Sequence, residues 1–209
     1  MTKVLIADDH PIVREGVRRV LQDAAEMEVV GEVGRSDDVA PAVRKFRPDV
    51  LILDISMPGP DVLSVLADLA TSHPVLRTLI LSAHPEEEYA VRAFRAGAFG
   101  YLTKGYAPKD LVEAVRIVAQ GRRFVTASMA ERLALSLAGD ATLLPHERLS
   151  NREFEVLRLL AAGRSLKEIA ARLGIHPKTV STFRARILEK LVMHTNADLV
   201  RYAVEHHLT

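Results

Sequence analysis

The first 121 residues alternate between short unbroken apolar runs and longer stretches in which apolar residues recur at helical spacing. The runs are Val4 to Ala7, Val29-Val30, Val50 to Leu53, Thr78 to Leu81 and Phe99 to Leu102. They are continuous rather than alternating, as strands covered on both faces require, and the intervals between them can hold a crossover helix. Within those intervals Ile12, Val13, Val17, Val20 and Leu21 form one helical stripe, and Leu111, Val112, Val115 and Val118 another. Five βα units follow, and right-handed crossovers turn them into a parallel sheet with helices on both faces.

From Arg122 to Arg148 the pattern weakens. Met129, Leu133 and Leu137 predict a short helix, after which Gly139-Asp140-Ala141-Thr142 and Pro145 punctuate the chain, so residues 122–147 read as a linker. Beyond it come three capping boxes: Ser150 with Glu153, Ser165 with Glu168, and Thr195 with Asp198. In each, a hydroxyl and a carboxylate can satisfy amides that a first helical turn leaves unpaired. Pro177, just after Gly174-Ile175-His176, marks a fourth helix start, because a missing N–H does no harm there. Residues 148–209 are therefore expected to be four short helices, an all-α unit following an α/β one.

A length of 209 residues agrees with two modest domains. The apolar runs fall far short of the roughly 18–20 residues that span a bilayer, so no membrane segment is expected. The chain also reaches Asp8-Asp9 after too few apolar residues for a secretory leader. The absence of Cys excludes disulfides, thiolate metal sites and a Cys nucleophile, and fits a reducing, cytoplasmic setting. A net charge of +1 hides an asymmetry. Residues 1–124 hold 16 basic against 18 acidic side chains, whereas residues 146–209 hold 11 against 7, which points the C-terminal unit toward a polyanion.

The polar residues that interrupt the strand pattern fall at carboxyl ends of strands. Asp8-Asp9 follow the first, Asp54 the third, Ser82 ends the fourth and Lys104 closely follows the fifth. In an open parallel sheet these ends share one edge, and ligands bind in the crevice there. Singly, each has an ordinary reading: Asp9 as a helix N-cap, Lys104 as a solvated loop charge, Ser82 as a turn residue. Asp54 is harder to explain away, because a carboxylate emerging from a buried strand needs partners. Three gathered carboxylates repel unless a cation intervenes, and Mg²⁺ suits an all-oxygen site that keeps room for a phosphoryl oxygen.

Together Asp8-Asp9, Asp54 with Met57-Pro58-Gly59, Ser82-Ala83 and Gly100-Tyr101-Leu102-Thr103-Lys104 resemble the receiver domain of two-component response regulators, over residues 3 to about 121. The resemblance implies a flavodoxin-like, doubly wound five-stranded parallel sheet as domain 1–121. It implies Asp54 as phosphoacceptor, with Asp9, Asp54 and the Ser56 backbone carbonyl holding Mg²⁺ and Asp8 acting through a water. Lys104 and Ser82 would meet the transferred oxygens, and Ser82 and Tyr101 would form the switch. Val62 and Gly105 depart from the family pattern, and His84 stands where it could influence the lifetime of an acyl phosphate.

Residues Lys178 to Leu191, placed on a helix, divide into two faces. Val180, Phe183, Ile187 and Leu191 lie on one side, and Lys178, Ser181, Thr182, Ala185 and Glu189 on the other. Short side chains flanked by Arg184 and Arg186 suit close entry into a major groove. With the helix predicted from Ser165, and Gly174 at the turn, this makes a helix-turn-helix unit. The segments Leu149 to Glu153, Lys167 to Ala170 and Lys178 to Ser181 are similar to the LuxR-type DNA-binding domain, and with the receiver they indicate the NarL/FixJ class. That resemblance implies groove contacts from Ser181, Thr182 and Ala185, with Lys178, Thr179, Arg184 and Arg186 completing the DNA face.

The expected function is a transcription factor whose Asp54 is loaded by a sensor histidine kinase and which binds duplex DNA as a homodimer, with RNA polymerase as a further partner and without membrane attachment. Two other readings stay open: a phosphorylation-dependent adaptor whose tail binds protein, and an aspartate-nucleophile phosphatase. The phosphatase is weakened by Ser56, where that class uses a second Asp. His206-His207 resemble a metal pair, but neighbouring side chains on a helix diverge, so they read as solvated. Leu199, Val200, Ala203 and Val204 form a stripe that serves either the core or a dimer seam.

Overall fold

The computed structural model describes residues 1–126, 129–130, 144–206 and 208. It divides into two compact units, Met1–Ala134 and Leu135–Thr209.

The first unit alternates strands and helices: β1 (Thr2–Ala7), α1 (Pro11–Gln22), β2 (Met27–Val33), α2 (Ser36–Phe46), β3 (Val50–Leu53), α3 (Val62–Ser72), β4 (Arg77–Ser82), α4 (Glu86–Arg95), β5 (Gly100–Thr103) and α5 (Pro108–Ala119). All strands are parallel in the order β2-β1-β3-β4-β5. This is the flavodoxin-like, doubly wound arrangement. The chain winds outward in opposite directions from the adjacent β1 and β3, which leaves a crevice beyond their carboxyl ends. Each apolar run predicted as a strand lies in or overlaps one, and Val4 to Ala7, Val50 to Leu53 and Thr78 to Leu81 are buried at every position. Val4, Ile6, Val50, Ile52, Leu79 and Leu81 pack with Val17 and Leu21 of α1 and Leu111, Val115 and Val118 of α5, so the predicted helical stripes face the sheet.

Val62, a departure in sequence, is the buried first residue of α3, and Asp61 caps that helix by accepting from the Ser64 N–H. The loop between β3 and α3 is fastened by buried Ser36, whose hydroxyl donates to the Pro60 carbonyl at 2.8 Å. Gly59 adopts φ +118°, and a Cβ there would stand 2.5 Å from the Ser36 hydroxyl. Only glycine fits this turn without displacing the loop.

The second unit contains a 3₁₀ turn (Pro145–Arg148) and four helices: α6 (Asn151–Ala161), α7 (Leu166–Leu173), α8 (Pro177–Lys190) and α9 (Asn196–Glu205). The capping boxes at Ser150, Ser165 and Thr195 start α6, α7 and α9, and Pro177 occupies the first turn of α8 behind a His176 N-cap. Gly174 closes α7 at φ +64°, making the turn between α7 and α8. Phe154, Leu157, Ile169, Val180, Ile187, Leu199 and Ala203 are all buried in this unit. Leu199 and Ala203 thus belong to the core, whereas Val204 is exposed.

Two parts of the stretch read as linker are structured. Phe124 bridges to Gly100 at the edge of β5, and His146 in the 3₁₀ turn is buried against Phe154 and Tyr202. Of the helix expected on Met129, Leu133 and Leu137, Met129 is buried in helical backbone, while Leu133 and Leu137 lie outside the described residues, as does Gly139-Asp140-Ala141-Thr142. Among the described residues no helix is long and apolar enough to cross a membrane.

Leu79 is completely buried in β4, whereas Val75 on the preceding loop is 81% exposed. Leu79→Ala is expected to destabilise the first unit by about 2–5 kcal/mol, and Val75→Ala by less than about 0.5 kcal/mol. Urea unfolding of the two variants checks the contrast.

Candidate functional site

The register of the sheet assembles the acidic pocket. Ala7 pairs with Leu53 and Ser82 with Thr103, so Asp8, Asp54, Ser82 and Lys104 come out along one edge. Main-chain bonds continue the ladder past the strand ends and fix each residue: Asp8 N–H to the Val33 carbonyl at 3.1 Å, Asp54 N–H to Ala7 at 2.8 Å, and Lys104 N–H to Ser82 at 2.7 Å.

The Lys104 ammonium lies 2.7 Å from Asp8 Oδ2 and 3.0 Å from Asp54 Oδ2. These are ion pairs without hydrogen-bond alignment, since both Asp54 oxygens and Asp8 Oδ2 are buried with no aligned donor; the same holds for Asp9 Oδ1, 2.7 Å from His10 Nδ1. Asp8, Asp9, His10 and Asp54 each offer a ligand atom within 4.8 Å of the others, the arrangement of a cation site. Four buried carboxylate oxygens without aligned donors fit a hard divalent ion such as Mg²⁺.

Burial pushes the Asp54 carboxyl above the ordinary carboxylate range; Lys104 opposes the rise and the Asp8 charge adds to it. Burial alone would lower the Lys104 ammonium, but its close contacts and charge interactions with Asp8 and Asp54 outweigh that and raise it. The pocket therefore holds more negative charge than its one lysine balances well.

Ser82 is fully buried, and its hydroxyl accepts from the His84 N–H at 3.0 Å. Tyr101 points inward and is also buried, donating its hydroxyl to the His84 carbonyl at 2.9 Å. The Ser56 hydroxyl and His84 Nε2 meet at 2.9 Å, and the His84 ring stacks on Tyr89 at 4.9 Å. Sequence reasoning missed His10 as a member of the acidic cluster, although it is adjacent to Asp9. It also missed Arg14, which donates to the Asp8 carbonyl at 2.7 Å and pairs with Glu32 at 3.2 Å, holding α1 against the end of β1.

In the second unit Val180 and Ile187 are buried on one side of α8, while Lys178, Thr179, Ser181, Thr182, Ala185 and Arg186 are exposed on the rest. Arg184 is half-buried and donates from Nε to Asn196 Oδ1 at 2.5 Å, so it is tied to the first turn of α9. Glu153 is buried in the first turn of α6 with Lys190 Nζ 2.6 Å away. Burial would raise its carboxyl, but Lys190 and Ser150 hold it below its usual value. His206 corrects the solvated reading: its ring lies 4.3 Å from Tyr202 and 5.5 Å from His146, because the end of α9 packs back on the 3₁₀ turn. His207 lies outside the described residues.

A sheet of this order with an acidic, lysine-bearing edge, followed by a helix-turn-helix unit, defines a receiver joined to a helical effector. The family described as "Response regulator receiver domain" matches residues 4–116, and "Bacterial regulatory proteins, luxR family" matches residues 147–203. The chain belongs to the response regulators of the NarL/FixJ class, transcription factors under the control of receiver phosphorylation. It is 36% identical over 209 residues to response regulator UvrY of Escherichia coli (strain K12), covering 100% of this chain and 96% of the relative. It is 35% identical over 207 residues to response regulator GacA of Pseudomonas aeruginosa, covering 99% and 97%. Among solved structures, RcsB of Salmonella typhimurium matches with TM-score 0.71 and 30% identity over 98% of this chain and 97% of that one. RcsB of Salmonella enterica serovar Typhimurium bound to promoter rprA in the presence of the phosphomimetic BeF3- matches with TM-score 0.66 and 30% identity, covering 96% and 97%.

The raised Asp54 carboxyl gives a pH test. A group whose folded pKa lies above its unfolded value makes the fold pay for ionisation above the folded pKa and not below the unfolded one. In chelator, Asp54→Asn is thus expected to melt higher than the wild type at pH 7, by about 2–4 °C per kcal/mol relieved, and the gain should vanish as pH falls into the ordinary carboxylate range. Lys104→Met should melt lower at pH 7. A destabilised Asp54→Asn protein at neutral pH contradicts the charge imbalance.

Proposed function

We propose that the chain works in the cytoplasm as a regulator whose Asp54 accepts a phosphoryl group from a sensor histidine kinase, and that this modification changes its binding to promoter DNA. The observation that carries the reading is Asp54 itself, 1% exposed at the end of β3, with Lys104 at 3.0 Å and two further acids beside it. A buried carboxylate so placed is a nucleophile with a cation ready for the charge it receives.

In this reading an Asp54 oxygen attacks phosphorus, the donor leaves and an aspartyl acyl phosphate forms. Lys104, already within ion-pair distance, meets the added charge, and Ser82 turns from the His84 N–H to donate its hydroxyl to a phosphoryl oxygen. Asp9, Asp54 and the Ser56 carbonyl would hold Mg²⁺, with Asp8 reaching it through a water. The chemistry the bound ion supplies is neutralisation of the clustered carboxylates and of the transferring oxygens. Tyr101 then shares with Ser82 the task of registering the change, and turnover of the acyl phosphate is incidental rather than the work of a dedicated enzyme.

The exposed face of α8 is the proposed DNA surface. Ser181, Thr182 and Ala185 would approach the groove, while Lys178, Thr179, Arg184 and Arg186 reach phosphates. The promoter-bound RcsB structure supports carrying DNA binding over to this chain. A homodimer on two half-sites, with RNA polymerase as a further partner, follows from the same reading. Residues 1–121 would be the receiver, 122–147 the linker and 148–209 the DNA-binding domain.

Incubation with acetyl phosphate and Mg²⁺, peptide mass spectrometry, and selection from random duplexes test the whole reading. The expected result is an adduct on the peptide containing Asp54 and donor-dependent retrieval of duplexes, both lost in Asp54→Ala. An adduct elsewhere, or equal retrieval by both proteins at every donor level, overturns it. On the selected duplex, Lys178→Ala and Arg186→Ala should each reduce the slope of log affinity against log salt by about 1.

A further inference from the structure

The turn from β4 into α4, His84-Pro85-Glu86, is held at successive residues by three different parts of the first unit. The His84 N–H donates to Ser82 Oγ at 3.0 Å. The Tyr101 hydroxyl donates to the His84 carbonyl at 2.9 Å, with the Pro85 carbonyl at 3.5 Å. Glu86 Oε1 accepts from the Thr126 hydroxyl at 2.7 Å. Ser82 and Tyr101 are the proposed switch residues. Thr126 lies beyond α5, on the chain leaving the receiver.

That departing segment is itself fastened to the edge of the sheet. The Phe124 N–H donates to the Phe99 carbonyl at 2.8 Å, and Phe124 forms a parallel bridge with Gly100. The Arg123 guanidinium lies 5.5 Å from the Phe94 ring and 5.7 Å from the Phe99 ring. The Thr126 hydroxyl, while donating to Glu86, accepts from the Met129 N–H at 3.2 Å. Gly100 permits the close approach, since a Cβ there would stand 3.0 Å from Phe124 Cβ and 2.8 Å from Leu79 Cδ1. The bridge position is next to Tyr101 in β5.

We propose that the Glu86–Thr126 hydrogen bond carries the state of Asp54 from the start of α4 into the segment that leads to the DNA-binding unit. The inference rests on the phosphorylation-controlled DNA binding proposed above. Its physical basis is continuity. When Ser82 turns from the His84 N–H to donate its hydroxyl to a phosphoryl oxygen, the turn loses one of its holds, while Tyr101 still bears on the carbonyls of His84 and Pro85. Glu86 is the first residue of α4, so a shift of the turn displaces the acceptor that holds Thr126. A hydroxyl donating to a carboxylate is a strong, directional bond, and making or losing it is a discrete two-state event. Coupling between two sites is measured as a ratio of affinities, so the link is testable without knowing the geometry of the shift.

The test uses the full chain and the duplex selected as above, with affinities measured before and after phosphorylation by acetyl phosphate. In the wild type their ratio is the coupling factor. Thr126→Val, which keeps the shape and removes the hydroxyl, and Glu86→Ala are each expected to reduce that factor by about fivefold or more. The double variant should be no worse than either single one, since both remove the same bond. Glu86→Gln, which keeps an acceptor oxygen, should retain most of the coupling. Phosphorylation yield and phosphorylated affinity should stay at wild-type values in all four, so that any fall in the factor comes from the unphosphorylated protein, whereas a purely structural defect lowers both affinities and leaves the ratio. Thr126→Val and Glu86→Ala proteins with the wild-type factor overturn the link alone. A wild type whose DNA affinity ignores phosphorylation overturns the proposed function and the link together.

Discussion

The molecule depends on a charge imbalance held at one edge of a parallel sheet. Asp8 and Asp54 are buried, Asp9 is beside them, and the ammonium of Lys104 approaches two of the three without aligning a hydrogen bond on either. Burying carboxylates in this way is costly, and the upward displacement of Asp54 expresses that cost. The stability comes from elsewhere, from the strands that deliver these residues. Ala7 and Leu53 are paired neighbours in the most buried part of the sheet, so the next residue of each chain segment must emerge beside the other. A receptive site is thus maintained by a core that has no polar function of its own.

The same arrangement explains why the pocket can speak to the rest of the first unit. Ser82 ends β4 and Lys104 follows the adjacent β5, and the Lys104 N–H is bonded to the Ser82 carbonyl, so the residues that would meet a phosphoryl group stand side by side where the ladder ends. His84 stands at the junction: its N–H, carbonyl and ring engage Ser82, Tyr101 and Ser56 in turn. The interior around them is close-packed, which favours a jump between discrete arrangements over a graded deformation.

What the sequence displays depends on the range of the interaction. Val4 to Ala7 and Val50 to Leu53 are legible as strands because burial on both faces leaves no polar position in either run, and Asp8 and Asp54 are legible as site residues because each breaks such a run at its carboxyl end. The capping boxes of α6, α7 and α9 are legible because donor and acceptor are three residues apart. Contacts between residues distant in sequence leave no such trace. Thr126 meets Glu86 across 40 residues, Lys190 meets Glu153 across 37, and His146 meets Tyr202 across 56. Neither spacing nor composition relates these pairs, and His206 reads as solvated until the ring of His146 is found 5.5 Å from it.

These long-range polar contacts also decide how firmly α8 is presented. Glu153 is satisfied at once by its capping box and by Lys190, which joins the first turn of α6 to the last turn of α8. Arg152 donates to the Leu173 carbonyl at 2.7 Å, tying α6 to the end of α7 just before the turn. Arg184 is committed at its Nε to Asn196 on α9. Each helix flanking α8 is thus bonded directly to it or to the turn that precedes it. A helix supported in this way loses little conformational freedom on entering a groove, so less of the favourable phosphate interaction is spent on ordering the protein. Arg184, one of the proposed phosphate contacts, is thus also a bond between α8 and the first turn of α9.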